Sequence, residues 1–109
     1  MIIACELGHI NIVKTMISRG ADNWNHGLNR ACHRGHIDIV NLMISKGAND
    51  WNQGLYNACH AGHIDIVKLM ISKDVKQYKG SLFRASQNRH IDIVNLLILE
   101  LGYIPKNIS

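Results

Sequence analysis

The sequence predicts an all-α solenoid of four stacked helix-turn-helix repeats. The stretch 35–40, Gly-His-Ile-Asp-Ile-Val, recurs letter for letter at 62–67, and close copies occupy 8–13 and 89–94. Its histidine returns at a constant interval, at positions 9, 36, 63 and 90. A fixed period of roughly 20–50 residues is typical of repeat arrays. The apolar residues inside each period recur at helical spacing, which predicts helices and not strands.

Each period is predicted to hold two helices separated by a glycine turn. In the second unit the first helix spans about 28–34, because Leu28, Ala31 and Cys32 fall on one helical face. Gly35 ends this helix, since glycine adopts the left-handed conformation most easily. The single domain 1–109 therefore divides into four units, at about 1–27, 28–54, 55–81 and 82–108.

The second helix of the same unit is predicted over about 37–45. Asp38 lies in its first turn, where the helix dipole stabilises a carboxylate. Ile39, Val40, Met43 and Ile44 form a broad apolar stripe at helical spacing. Two short helices cannot bury such a stripe alone, so we expect the units to bury it by stacking on one another.

The composition is that of a folded protein in a reducing compartment. Of the 109 residues, 47% are apolar and 18% are charged, and the net charge is +4. Cys5, Cys32 and Cys59 recur with the same period, so stacking makes them equivalent and predicts reduced, buried thiols. We therefore expect the protein to be located in the cytoplasm. The sequence shows neither a signal-peptide pattern nor an apolar run that could span a membrane.

Several of these residues together resemble the ankyrin repeat, in a short 27-residue variant. The central units share Leu-x-x-Ala-Cys-x-x-Gly-His-Ile-Asp-Ile-Val-x-Leu-Met-Ile, and 20–22 and 47–49 are similar to the family's Gly-Ala-Asp end. Ankyrin repeats are usually about 33 residues long, and the missing residues fall where that family has a β-hairpin finger. We therefore expect shortened inter-repeat loops in place of the fingers. The Gly-Ala-Asn-Asp-Trp-Asn loop resembles the short ankyrin repeats of large DNA viruses of amoebae, which implies the host-cell cytoplasm.

This resemblance implies a non-catalytic module for protein–protein interaction. Ankyrin-like proteins bind partners on the concave face of their first helices, and Glu6 is the single acid among the exposed positions expected there. We therefore expect a basic face that selects a protein with an acidic surface. Nucleic-acid binding by the same face is the alternative, and a structural fragment of a longer repeat array is a third hypothesis. The candidate partner-binding residues are Arg30, His33, Arg34, Tyr56, Asn57, His60, Phe83, Arg84 and Gln87.

The recurring Cys-His-x-x-His pattern, at 32–36 and 59–63, combines two kinds of zinc ligand at short spacing. We expect the cysteine to point inward, His36 to bond backbone groups of the adjoining loop, and His33 and His60 to lie on the exposed side. These groups would not converge, so no metal and no cofactor is predicted. No nucleophile or phosphate-loop motif occurs, and the first-turn aspartates repeat in several units, whereas catalytic groups occur once. The sequence therefore predicts no enzyme.

The tryptophans and the two ends of the chain complete the predictions. Trp24 and Trp51 are expected in the loops, packed against the neighbouring unit, with partner binding as the alternative. Ile2, Ile3 and Leu7 are expected to be exposed, which predicts a longer array, a partner or self-association through the N-terminal repeat. In the last unit Arg89 replaces the turn glycine and should alter the turn. The stretch 101–105 is expected to form a C-terminal cap.

Overall fold

The computed structural model describes residues 1–102, and within them the chain forms eight α-helices and no β-strand. Consecutive helices pair through a short turn, and we number these pairs repeats 1 to 4. The first helices of the pairs are α1, α3, α5 and α7. In order, the helices are α1 (Ile2–Leu7), α2 (Ile10–Ser18), α3 (Trp24–Arg34), α4 (Ile37–Ser45), α5 (Trp51–Ala61), α6 (Ile64–Ile71), α7 (Lys79–Gln87) and α8 (Ile91–Leu101).

The repeats stack in chain order into an elongated array of 54 × 23 × 16 Å. Each first helix packs against the first helix of the next repeat, and each second helix packs against the next second helix. The loops between repeats 1 and 2 and between repeats 2 and 3 are short, at 19–23 and 46–50. The predicted all-α solenoid with shortened loops is therefore confirmed. Part of the predicted C-terminal cap, 103–105, lies outside the described residues.

The core runs through the stack and not within any one repeat. Ile39, Val40 and Met43 of the predicted stripe have no exposed surface, and they belong to a cluster that extends through all four repeats. Leu28 and Leu55 of the first helices are equally buried. Stacking therefore buries the apolar stripe, as the period predicted.

Helices α3 and α5 begin four residues earlier than predicted, at Trp24 and Trp51. The tryptophans therefore lie in the first turn of a helix and not in a loop. Both rings are partly buried against the core, so their packing role is confirmed, whereas their contact with the neighbouring unit stays a prediction. Gly27 lies inside α3, where a Cβ would stand 2.7 Å from the sulfur of Met43. Glycine in this motif thus permits close packing and does not mark a loop.

Arg89 replaces the turn glycine in repeat 4 and keeps its left-handed backbone. Arg89 has a φ of 61°, close to the 85° and 88° of Gly35 and Gly62. The turn is nevertheless adjusted, because α7 ends at Gln87, one residue earlier than the other first helices. The backbone N–H of Arg89 donates to the carbonyl oxygen of Ser86 at 3.1 Å, whereas that of Gly35 donates to Ala31 at 2.8 Å. The prediction that this turn would change is therefore confirmed. The backbone N–H of His90 donates to the carbonyl oxygen of Ala85 at 2.9 Å, as His36 does to Ala31 in repeat 2. The same hydrogen bond closes both turns, so Arg89 is held in the left-handed conformation despite its strain.

Candidate functional site

The histidine of each Gly-His turn joins its repeat to the preceding one. The Nε2 of His36 donates to the carbonyl oxygen of Glu6 at 3.1 Å. His63 donates to the carbonyl oxygen of His33 at 3.0 Å, and His90 donates to that of His60 at 3.2 Å. The predicted structural role is confirmed, but the partner is the previous first helix and not the adjoining loop. The acceptor is a carbonyl in the last turn of that helix, which would otherwise lack an intrahelical partner.

The turn glycine lies directly under the histidine ring of the next repeat. A Cβ at Gly35 would stand 2.7 Å from the Cε1 of His63, and one at Gly8 would stand 2.6 Å from the Cε1 of His36. Glycine is therefore required at these turns for its left-handed backbone and also for the space that it leaves.

A second connection between repeats comes from an asparagine that the sequence analysis missed. The Oδ1 of Asn25 accepts hydrogen bonds from the backbone N–H groups of Asn49 and Asp50, at 2.8 and 3.0 Å. The Oδ1 of Asn52 accepts from Lys76 and Gln77 in the same way, both at 3.0 Å. The sequence could have predicted this role, because the Trp-Asn pair recurs with the period of the array. A polar residue that recurs in this way indicates a structural role within the array.

Replacing Asn52 with alanine should reduce the free energy of unfolding by about 1–2 kcal/mol, because two hydrogen bonds are lost. The loop can turn its N–H groups to water, which keeps the effect moderate. Urea unfolding followed by circular dichroism measures the change. Asn41, exposed on α4, provides the control, and equal effects of Asn41→Ala and Asn52→Ala would contradict the proposed connection.

A continuous row across repeats 2 to 4 contains four of the predicted partner-binding residues: His33, His60, Tyr56 and Arg84. The rings of His33 and His60 lie 5.7 Å apart between centroids, and His60 stacks on Tyr56 at 6.4 Å. The Nε of Arg84 donates to the Tyr56 hydroxyl at 3.0 Å, and its guanidinium lies over the ring at 5.8 Å. His33 and His60 were predicted to be exposed; they are half-buried because each ring lies beside an aromatic ring of the row.

A groove of about 420 Å³ opens between repeats 2 and 3 beside this row. The Nδ2 of Asn57 donates to the Asn29 carbonyl oxygen at 3.3 Å, and the Nδ2 of Asn29 donates to Asp50 at 3.1 Å. The Oδ1 of Asn29 is buried and has no hydrogen-bond partner within residues 1–102. The wall of the groove thus retains one unsatisfied acceptor. All six lining residues are polar and none is acidic: His26, Asn29, Arg30, His33, Gln53 and Asn57.

The arginines of this face occupy different environments. Arg30 is exposed at the groove, whereas Arg34 pairs with Glu6 at 3.2 Å between Nη2 and Oε1. Burial, together with the nearby charges of His60, Arg34 and Arg30, lowers the pKa of His33. The lowered pKa disfavours a positive charge on the His33 ring. The positive charge beside the groove comes from the arginines.

Phe83 and Gln87 lie on α7, toward the end of the row in repeat 4. The Phe83 ring is 64% exposed, and Gln87 is exposed as well. Neither residue lines the groove between repeats 2 and 3. The structure therefore places Arg30, His33 and Asn57 together, links His33 to His60, Tyr56 and Arg84, and leaves Phe83 and Gln87 apart.

The cysteines of the array are shielded from solvent. Cys5, Cys32 and Cys59 are free and buried, as predicted. Burial raises the pKa of Cys32 and Cys59 to about 12, and the nearby Asp50 carboxylate adds to the effect at Cys32. Thiols with such pKa values are weak nucleophiles and weak metal ligands at pH 7. In the part of the chain that the structure describes, no three His, Cys, Asp or Glu side chains are placed to hold a metal ion.

Two family models match the chain. One, described as ankyrin repeats (3 copies), covers 28–108, and the other, ankyrin repeats (many copies), covers 1–44. The chain belongs to the ankyrin-repeat family. A comparison with curated proteins finds no match.

Membership of the ankyrin-repeat family bears on function at the level of class. Ankyrin repeats generally mediate protein–protein interactions, and ankyrin-repeat proteins are typically non-catalytic. The resemblance stated from the Gly-His motif is thus confirmed for the family, while the viral style of the repeats stays a prediction. Among residues 1–102, no helix has both the length and the apolar character needed to cross a bilayer.

Proposed function

We propose that this ankyrin-repeat chain is a non-catalytic module that binds an acidic segment of a partner protein on the exposed face of its first helices. The groove between repeats 2 and 3 carries the proposal. It presents the Arg30 guanidinium and several amide and imidazole groups, and it has no carboxylate among its lining residues. Carboxylates of a partner would find charged and neutral hydrogen-bond donors there.

The row from His33 to Arg84 would extend the contact beyond the groove. Its side chains already touch one another, since Tyr56 holds the Arg84 guanidinium and stacks on His60. Side chains that are ordered before binding lose less conformational entropy when a partner docks. Phe83 then offers an exposed aromatic surface, the kind of residue that anchors protein interfaces.

The test is the affinity of the Arg30→Glu variant for a protein captured from cell extract with the native chain. We expect the dissociation constant to rise at least about tenfold, because the substitution places a carboxylate against an acidic partner. Lys46→Glu makes the same charge change at the exposed end of α4, and it should alter the affinity less than about twofold. Equal losses in the two variants would show that only net charge matters.

Arg84 is a poorer test residue than Arg30. Its side chain is partly buried and bonded to Tyr56. Arg84→Glu would therefore disturb the row itself. Arg30, at the groove rim, separates binding from stability.

Nucleic-acid binding by the same face predicts a different salt dependence. A protein that neutralises several phosphates loses affinity steeply and linearly in log salt, whatever the base sequence. Titration of the native chain with random DNA and RNA between about 50 and 200 mM salt measures that slope. Tight binding with a steep slope, abolished by Arg30→Glu, would replace the protein partner by nucleic acid.

We further propose that the protein works in the cytoplasm, in the host cell if the short repeats are viral. Three free, buried cysteines support a reducing compartment. The division into four equal units, as a single domain, is proposed on the same period that places the histidine contacts.

A further inference from the structure

Equivalent isoleucines differ in exposure between repeat 1 and the later repeats. Ile39, Ile66 and Ile93 have no exposed surface, whereas Ile12, at the same place in repeat 1, is 47% exposed. The residue type and its position in the second helix are the same, since each member lies one period after the last. The difference comes from the preceding repeat that covers the other three.

The uncovered surface also includes Ile3, Leu7 and His9. We call the surface of these three residues and Ile12 the N-terminal face. Ile3 and Leu7 are 72% and 58% exposed. Two later counterparts of each residue form a hydrogen bond to the preceding repeat. They are Asn57 and Arg84 for Ile3, and Arg34 and Asn88 for Leu7. His9 is exposed, whereas its counterparts are half-buried against a carbonyl oxygen of the repeat before them.

Repeat 4 differs from the other repeats at three positions whose residues contact the following repeat in those repeats. Ser86 replaces the cysteine whose sulfur, in Cys32, would lie 3.4 Å from a Cβ at Gly54 of the following repeat. Arg89 replaces the turn glycine, and Lys79 replaces the asparagine that bonds the next loop. The two ends of the array therefore differ in chemistry. Repeat 1 has the isoleucine and histidine with which later repeats stack on the preceding one, whereas repeat 4 has other residues at three positions that contact a following repeat.

We propose that the N-terminal face docks one further repeat of this class, whose first helix ends in glycine. Ile12 would be buried as Ile39 is, and the His9 ring would lie on the glycine and donate to a carbonyl oxygen near the end of that helix. The glycine is required because a Cβ under the ring would approach within about 3 Å, as it would at Gly8, Gly35 and Gly62. This docking surface is distinct from the first-helix face used in the proposed function.

Repeat 4 of a second copy does not meet this requirement. Its Arg89 would place a side chain where the His9 ring must lie, and Ser86 and Lys79 would replace the other two contact residues. Head-to-tail association of identical chains is thus opposed by the residues of repeat 4. The self-association predicted from the exposed N-terminal residues would therefore not use the face of repeat 4.

The experiment adds a second copy of residues 28–54 directly before Met1, which preserves the spacing of the repeats without a linker. We expect the melting temperature to rise by about 10 °C, because an array gains one nearest-neighbour interface. Amide hydrogen exchange in α1 should slow at least about tenfold, because the first repeat becomes an interior repeat.

The matched control carries arginine in place of the Gly35 copy in the added unit. It should lose at least half of the gain in melting temperature, because its Cβ meets the His9 ring. No gain with the glycine unit, or equal gains with both units, would overturn the proposal. So would sedimentation showing that the native chain forms a dimer that Ile12→Glu abolishes, since a second copy would then be the occupant.

Discussion

Replacing Ile66 with alanine should lower the free energy of unfolding by about 2–5 kcal/mol. The side chain has no exposed surface and belongs to the core that continues from repeat to repeat. Alanine removes three carbons from this core and leaves a cavity that two short helices can close only in part. In a domain of this size, each kcal/mol lowers the melting temperature by about 4–8 °C. Thermal and urea unfolding measure both quantities.

Ile12→Ala is the matched control for this prediction. It removes the same atoms from the same place in a repeat, but the Ile12 side chain is already 47% exposed. The loss should be about 1 kcal/mol, because less apolar surface returns to water and no closed cavity forms. If Ile12→Ala and Ile66→Ala destabilised the chain equally, burial between repeats would not be the source of stability.

The constant period of the sequence was sufficient to predict the fold, because it makes each residue equivalent to one in every other repeat. Gly35, His36 and Ile39 each have ambiguous local meaning, but their recurrence in register predicted a helix-turn-helix unit that stacks. Stacking then required the isoleucine to be buried and the cysteine to be reduced. These predictions needed only the spacing and the apolar pattern.

The contacts between repeats could not be predicted from the same pattern. His36 reaches the carbonyl oxygen of Glu6, 30 residues earlier, and that distance depends on how far each repeat is rotated and shifted against the last. The period fixes which residues are equivalent, whereas the stacking geometry fixes which residues touch. The helical start at Trp24 was not predicted for a related reason. Glycine disfavours a helix interior, and its place in α3 depends on packing against the sulfur of Met43.

The candidate site remains a prediction, which selects exposed positions of the first helices that do not repeat. Its internal contacts were not predicted. Arg84 and Tyr56 are 28 residues apart, so their contact follows from the packing of α7 on α5 and not from any local motif. Arg30 remains exposed at the groove, whereas Arg84 is bonded to Tyr56. Residues with the same predicted role therefore differ, because some are held by neighbouring side chains and others are exposed to a partner.

Replacing Gly62 with alanine should destabilise the chain by about 2–4 kcal/mol, for two separable reasons. The residue has a φ of 88°, a conformation that is strained for alanine, and a Cβ there would stand 2.7 Å from the Cε1 of His90. Gly20→Ala is the control, because Gly20 has a φ of 98° but no atom within 4 Å of the added Cβ. It should show only the conformational cost of about 1–2 kcal/mol.

The steric part can be isolated by repeating Gly62→Ala in a His90→Ala background. Removing the ring abolishes its hydrogen bond to the His60 carbonyl oxygen, but it also frees the space over residue 62. Gly62→Ala should then be no more harmful than Gly20→Ala, and the double-mutant cycle should give a coupling energy of about 1–2 kcal/mol. A cycle without coupling would mean that the ring and the glycine are independent. The glycine would then be required only for its backbone, and the packing of histidine on glycine would not distinguish one repeat interface from another.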